Sequence, residues 1–153
     1  MKRGFSLVEL LIVLIIIGIG IAMFYSTLYV NWTSFEKQVS SIDLQMEADK
    51  ISEVISDDGR YAKTFSVLSG GKQAHFEFPD STTVDYFLTP QGQIQRSLNG
   101  AAAYNVSEFV DYNNSLFKMS NSCLVGDIAL SDIVFGQKTQ LSFSVQVFPR
   151  NQT

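Results

Sequence analysis

Phe5-Ser6-Leu7-Val8-Glu9-Leu10-Leu11-Ile12-Val13-Leu14-Ile15-Ile16-Ile17-Gly18-Ile19-Gly20-Ile21-Ala22-Met23-Phe24 is the stretch whose reading decides the fold. From Leu10 to Phe24 it carries no polar side chain. At ~1.5 Å rise per residue, these roughly twenty residues cross a ~30 Å hydrocarbon core as one helix. The preceding Met1-Lys2-Arg3-Gly4 is a short cationic leader. Its two basic residues hold the N-terminus in the cytoplasm and send the chain after Asn31 to the outer face. Two residues do not belong in a plain anchor. Glu9 places a carboxylate one turn inside the apolar run, where a charge costs ~2.5–3.5 kcal/mol at the bilayer centre and is usually kept for a function. Gly4 stands before the apolar run, whereas a secretory signal puts its small residue after it.

Gly4-Phe5-Ser6-Leu7-Val8-Glu9-Leu10-Leu11 resembles the prepilin cleavage motif of the type IV pilin superfamily, which spans pilins, minor pilins and pseudopilins. The resemblance implies cleavage between Gly4 and Phe5 by a prepilin peptidase, methylation of the new Phe5 amine, and an apolar helix that stays on the mature protein. The residues make sense on their own terms too. Once the leader is gone, the cation nearest Glu9 is the Phe5 amine. The pair can close within one chain, or between parallel helices staggered in a bundle, where a missing partner strands a buried charge and so enforces register. The alternative for Glu9 is a carboxylate that snorkels to the headgroups.

The 153 residues leave room for one modest domain beyond the anchor. The net charge is −4, and loss of Lys2 and Arg3 leaves 9 basic against 15 acidic residues, or −6. No Lys/Arg cluster follows the apolar segment, so nothing argues for contact with nucleic acid. Cys123 is the single cysteine and His75 the single histidine, which rules out an intrachain disulfide and a Cys/His zinc set. His75, beside Glu77, reads as solvated rather than catalytic, and no G-x-S-x-G accompanies it. Asp57-Asp58 and Asp80 lack the spacing of a calcium loop. The expectation is a protein that is not an enzyme, with no catalytic residue, metal or cofactor.

The helix continues past the membrane. Leu28, Trp32, Phe35, Val39, Ile42 and Met46 step by four and three along one face, and Leu44, Ala48, Ile51 and Ile55 form a second stripe. Asp57-Asp58-Gly59 predicts the stop near Asp57, with Gly59 as a left-handed cap. Within the membrane half, Gly18, Ala22 and Ser26 make a small-xxx-small strip suited to close helix packing. No proline interrupts it, so any local loosening falls to Gly18 and Gly20. Beyond Gly59 the period becomes two: Phe65 and Val67; Ala74, Phe76 and Phe78; Val84, Tyr86 and Leu88; then Gln93–Leu98 and a last strand with Leu141, Phe143, Val145 and Val147, ending at Pro149. Turns are expected at Ser69–Lys72, Thr89–Gly92 and Asn99-Gly100. The fold class is therefore α+β, a long N-terminal spine helix packed against antiparallel β-sheet, as the pilin resemblance also implies. The expected divisions are a leader (1–4), a transmembrane and assembly helix (5–30) and an exported domain (31–153). That domain comprises the amphipathic half of the spine (31–57) and a β-rich part (60–153).

A second, shorter resemblance lies in Val84-Asp85-Tyr86-Phe87-Leu88, Gly92 and Ile94-Gln95-Arg96. It is similar to a tyrosine strand, glycine turn and arginine strand in W-type minor pilins and J-type minor pseudopilins. If Ile94, Arg96 and Leu98 share the inward face, Arg96 needs a buried carboxylate. Asp85 is the first candidate, and Asp57-Asp58 the other; the alternative is an edge strand whose Arg96 snorkels to water. The function expected is a structural subunit, minor pilin or pseudopilin, of a pilus, type II secretion or DNA-uptake filament. Its implied partners are the prepilin peptidase and methylase, other pilin subunits, the inner-membrane assembly platform and the membrane itself. It would be a single-pass inner-membrane protein before assembly. The alternative is a signal-anchored exported binding or sensory domain that never polymerises.

Overall fold

The computed structural model describes residues 6–148; the cleavage site at Gly4 and Phe5, and Pro149, lie outside them. One helix, α1, runs Leu7–Tyr61 without a break, through both Gly18 and Gly20. The chain divides at Gln38/Val39 into two compact units. In the first, every apolar side chain from Leu7 to Phe24 is exposed, and a Cβ added at Gly18 would meet nothing within 4 Å. By length and composition this part of α1 is able to cross a membrane, with a mean hydropathy of 2.9 in its most apolar window.

The second unit is α+β. Strands β1 (Thr64–Leu68), β2 (Gln73–Glu77), β3 (Thr83–Thr89), β4 (Gln93–Leu98) and β5 (Tyr104–Ser107) form an antiparallel meander in sequence order. Strands β6 (Leu116–Ser120), β7 (Cys123–Val134) and β8 (Gln137–Val147) form a second antiparallel sheet with β7 at its centre. The core joins one face of α1, Leu44, Ala48, Ile51 and Ile55, to Ala74, Phe76, Val84, Tyr86, Leu88 and Ile94 of the first sheet. Leu124, Ile128, Leu130, Val145 and Val147 close it from the second. Phe65, Phe76 and Tyr86 stack edge-to-face through it, with centroids 5.2 and 5.4 Å apart. The alternation expected on β2 and β3 is the one found, with Ala74, Phe76, Val84, Tyr86 and Leu88 all buried.

One expectation about the helix is corrected: α1 passes Asp57 and ends at Tyr61, and Gly59 is a buried helical residue rather than a left-handed cap. Its role is proximity: a Cβ there would stand 1.9 Å from Val147 Cγ1, so glycine is what lets β8 cross the helix. Within the second unit the stripe Leu44, Ala48, Ile51 and Ile55 lies in the core, whereas of the other stripe Val39 is half-buried and Ile42 and Met46 are exposed. Strand β7 had no signature of its own in the sequence. Cys123–Gly126 and Ile128–Leu130 are buried at successive positions, and beyond the β6 pairing loop 109–115 bonds to the strand's backbone at Ala129 and Ser131. A strand covered on both faces loses the alternation that reveals it.

Candidate functional site

At its N-terminus α1 is closed by Ser6 and Glu9. Ser6 Oγ accepts the Val8 N–H at 3.3 Å, and Glu9 Oε2 accepts the Ser6 N–H at 3.2 Å. This is a capping box, and Ser6-Leu7-Val8-Glu9 spells its S-x-x-E pattern. Charge pairing or snorkelling was the role expected of Glu9; the S-x-x-E spacing gives it this further local one. The Phe5 amine expected to pair with Glu9 lies outside the described residues. Gly18, Ala22 and Ser26 lie in the same exposed part of the helix, where nothing in the first unit packs on them.

The second unit has a polar junction at the C-terminal turn of α1. A carboxylate there opposes the helix dipole, and Asp58 is held by a guanidinium from the sheet. Arg96 Nε donates to Asp58 Oδ2 at 2.8 Å and Nη2 to Oδ1 at 3.0 Å. The two side chains are only 18% and 17% exposed. The Tyr86 hydroxyl donates to the same carboxylate. Register explains the convergence: Tyr86 and Arg96 are cross-strand partners on β3 and β4, so both reach the same point of the helix. The bond to Asp58 holds the Arg96 guanidinium above its ordinary range. Burial first, and the Asp58 carboxylate second, push the Tyr86 phenol well above its ordinary range. Asp58, Tyr86 and Arg96 fasten helix to sheet.

The pairing of Arg96 with Asp85 is therefore corrected. Asp85 follows Val84 and precedes Tyr86, both inward, so the pleat turns it to the outer face. There it meets His75 Nδ1 at 2.8 Å and Gln73 Nε2 at 3.0 Å. Nor does the inward face extend along all of β4: Ile94 is buried, Arg96 is largely covered, and Leu98 at the strand end is 47% exposed. Lys72 was not singled out from the sequence. Its Nζ donates to the Tyr112 and Ser115 carbonyls, each at 2.5 Å, and sits over the Tyr112 ring, tying loop 109–115 to the first sheet. Among the described residues, no three His, Cys, Asp or Glu side chains come together as a metal site.

A long N-terminal helix packed by its second part against antiparallel sheets is the architecture of the pilin fold. Residues 1–25 match the family model described as the prokaryotic N-terminal methylation motif. The chain carries a prepilin-type N-terminus on a long apolar helix, which is in keeping with the type IV pilin superfamily and supports a pilin-like structural subunit. The motif implies processing by a prepilin peptidase and assembly with other pilins, and accords with membrane anchoring. The search of curated proteins and the search of solved structures each returned no match.

Proposed function

We propose that this chain is a minor pilin or minor pseudopilin of a type IV pilus, type II secretion or DNA-uptake filament. In this reading the leader is cut between Gly4 and Phe5, Phe5 is N-methylated, and the subunit waits in the inner membrane with its C-terminal domain exported. The single observation that carries filament assembly is the uncovered apolar face of α1. Ile42 and Met46 are 55% and 66% exposed, while Leu44 between them is 1% exposed. Two apolar stripes on one helix call for two partners, and among the described residues the second unit covers only the stripe from Leu44 to Ile55. Gly18, Ala22 and Ser26 give neighbouring helices a place to approach closely. Pairing of the Phe5 amine with Glu9 of the next subunit sets the stagger, with the capping bond to Ser6 orienting the carboxylate. The Tyr86–Gly92–Arg96 pattern and the lack of a paired-cysteine loop support a minor rather than a major subunit.

The test is made on protein from the native host. Intact mass should show Met1–Gly4 removed and one methyl added, and retention of the leader would refute the reading. An Ile42→Cys chain in a Cys123→Ser background should then crosslink to other pilin subunits in sheared filaments. A processed chain that never leaves the membrane would instead make it an anchored exported domain.

A further inference from the structure

We propose that the β7–β8 hairpin tip, Ile133 to Phe135, is a second membrane contact that rests in the headgroup region while the subunit is in the bilayer. The proposal rests on the membrane anchoring of the apolar segment. Phe135 and Gly136 form the two-residue turn between Val134 and Gln137, with φ values of 49° and 72°. Both central residues of such a turn need positive φ, which suits Asn, Asp or Gly in the first place and disfavours a bulky side chain. The chain obeys this elsewhere: Asn99 and Asn121 hold the first left-handed position of the turns after β4 and β6, with φ of 51° and 47°. At the tip it sets a phenylalanine in that strained conformation and leaves it 58% exposed, beside Ile133 at 70%. Neither ring nor aliphatic chain contributes to the core. Backbone strain that gains no burial in its own domain points to a use outside it.

The fold says which way the tip faces. At one end of the hairpin, Val147, the partner of Leu124, packs on Gly59 of α1. At the other, Asp132 accepts the Ser40 hydroxyl at 2.8 Å. From Leu124 to Asp132 a strand rises ~26 Å, and from Gly59 back to Ser40 a helix rises ~28 Å. The hairpin therefore runs along the helix in the opposite direction, and its tip lies at the end of the domain where the chain enters it. Residues 31–39 are all that separates the expected membrane segment from Ser40. The charged groups beside the tip are engaged within the domain: Lys138 bonds to Asp111 at 2.7 Å, and Asp132 accepts from Ser40 and from the Ile133 N–H. An exposed aromatic and an exposed isoleucine in this place suit the headgroup–acyl boundary, where aromatic rings concentrate and amphipathic surfaces bury their apolar side.

The experiment uses the full chain in vesicles of phosphatidylethanolamine and phosphatidylglycerol. Trp32 is the single tryptophan, so a Trp32→Phe background reports one new position at a time. Phe135→Trp should emit to the blue of Phe148→Trp, which sits at the other end of β8. Lipids brominated near the headgroup end of the acyl chain should quench the first and spare the second. Ile133→Trp, on ordinary strand backbone, should behave like Phe135→Trp even where the altered turn forms poorly. Chains that float with the vesicles but show no bromine quenching at 133 and 135 would overturn the proposal and leave anchoring intact. Blue-shifted emission that ignores bromine and fades on dilution with lipid would also overturn it, by placing the tip between copies of the chain. Chains that fail to float would overturn the anchoring reading itself.

Discussion

Replacing Arg96 with alanine tests the junction that fastens α1 to the first sheet. The substitution removes both guanidinium donors and leaves Asp58, 17% exposed, with the Tyr86 hydroxyl as its remaining sheet donor. Breaking a fully buried pair from one side costs ~3–5 kcal/mol. About a sixth of each side chain still meets water here, and Tyr86 stays, so the expected loss is about 2–4 kcal/mol. For a domain of this size that lowers the thermal midpoint by roughly 6–15 °C. Arg60 serves as the internal control. It faces Asp57 at 3.7 Å, with 74% and 59% of the two side chains exposed, so Arg60→Ala should stay within about 0.5 kcal/mol of the parent. The assay is urea and thermal unfolding of the detergent-solubilised chain, followed by the near-ultraviolet dichroism of buried Tyr86. Asp58→Asn combined with Arg96→Met should recover part of the loss, because no charge is then stranded. An Arg96→Ala midpoint indistinguishable from that of Arg60→Ala would refute the assignment of a buried pair.

Gly59→Ala should destabilise by about 1–3 kcal/mol through overpacking against Val147, despite alanine's ~1 kcal/mol advantage in a helix. Adding Val147→Ala should return most of it, whereas a left-handed cap at Gly59 would show no such rescue. Glu9→Ala should leave membrane insertion intact or improved and reduce incorporation into filaments, scored by immunoblot of sheared fractions; full incorporation would rule out the Phe5–Glu9 pairing. Asp111 accepts from Lys138, Asn114 and Gln140, and the lysine and asparagine bonds lower its pKa from 3.8 to about 2. A depressed carboxylate stabilises the fold above its unfolded pKa and loses that contribution as pH falls through the folded one. Acid titration should therefore show a loss between about pH 4 and pH 2 that Asp111→Asn lacks, worth roughly 1 kcal/mol or less because Lys138 is half exposed.

The sequence alone determined the elements whose signal is local. An apolar run broken only by Ser6 and Glu9 can be satisfied in lipid only as a helix, so Phe5–Phe24 needed no tertiary partner to be read. The alternation of Ala74 and Phe76, or Val84, Tyr86 and Leu88, was legible because each strand has one wet face. That same alternation already turned Asp85 away from Arg96. Only the tertiary structure decided the rest. Cross-strand register set Tyr86 opposite Arg96 and aimed both at Asp58, a residue far away in the chain. Strand β7, covered on both sides, showed no period to read. Gly59 looked like a stop because it follows Asp57-Asp58; contact with Val147 is a long-range fact that local sequence does not encode. Two apolar stripes on α1 were equally visible by spacing, yet within the second unit Leu44, Ala48, Ile51 and Ile55 are buried while Ile42 and Met46 stay exposed. Periodicity reports that a face is apolar, and the rest of the fold decides what, if anything, covers it.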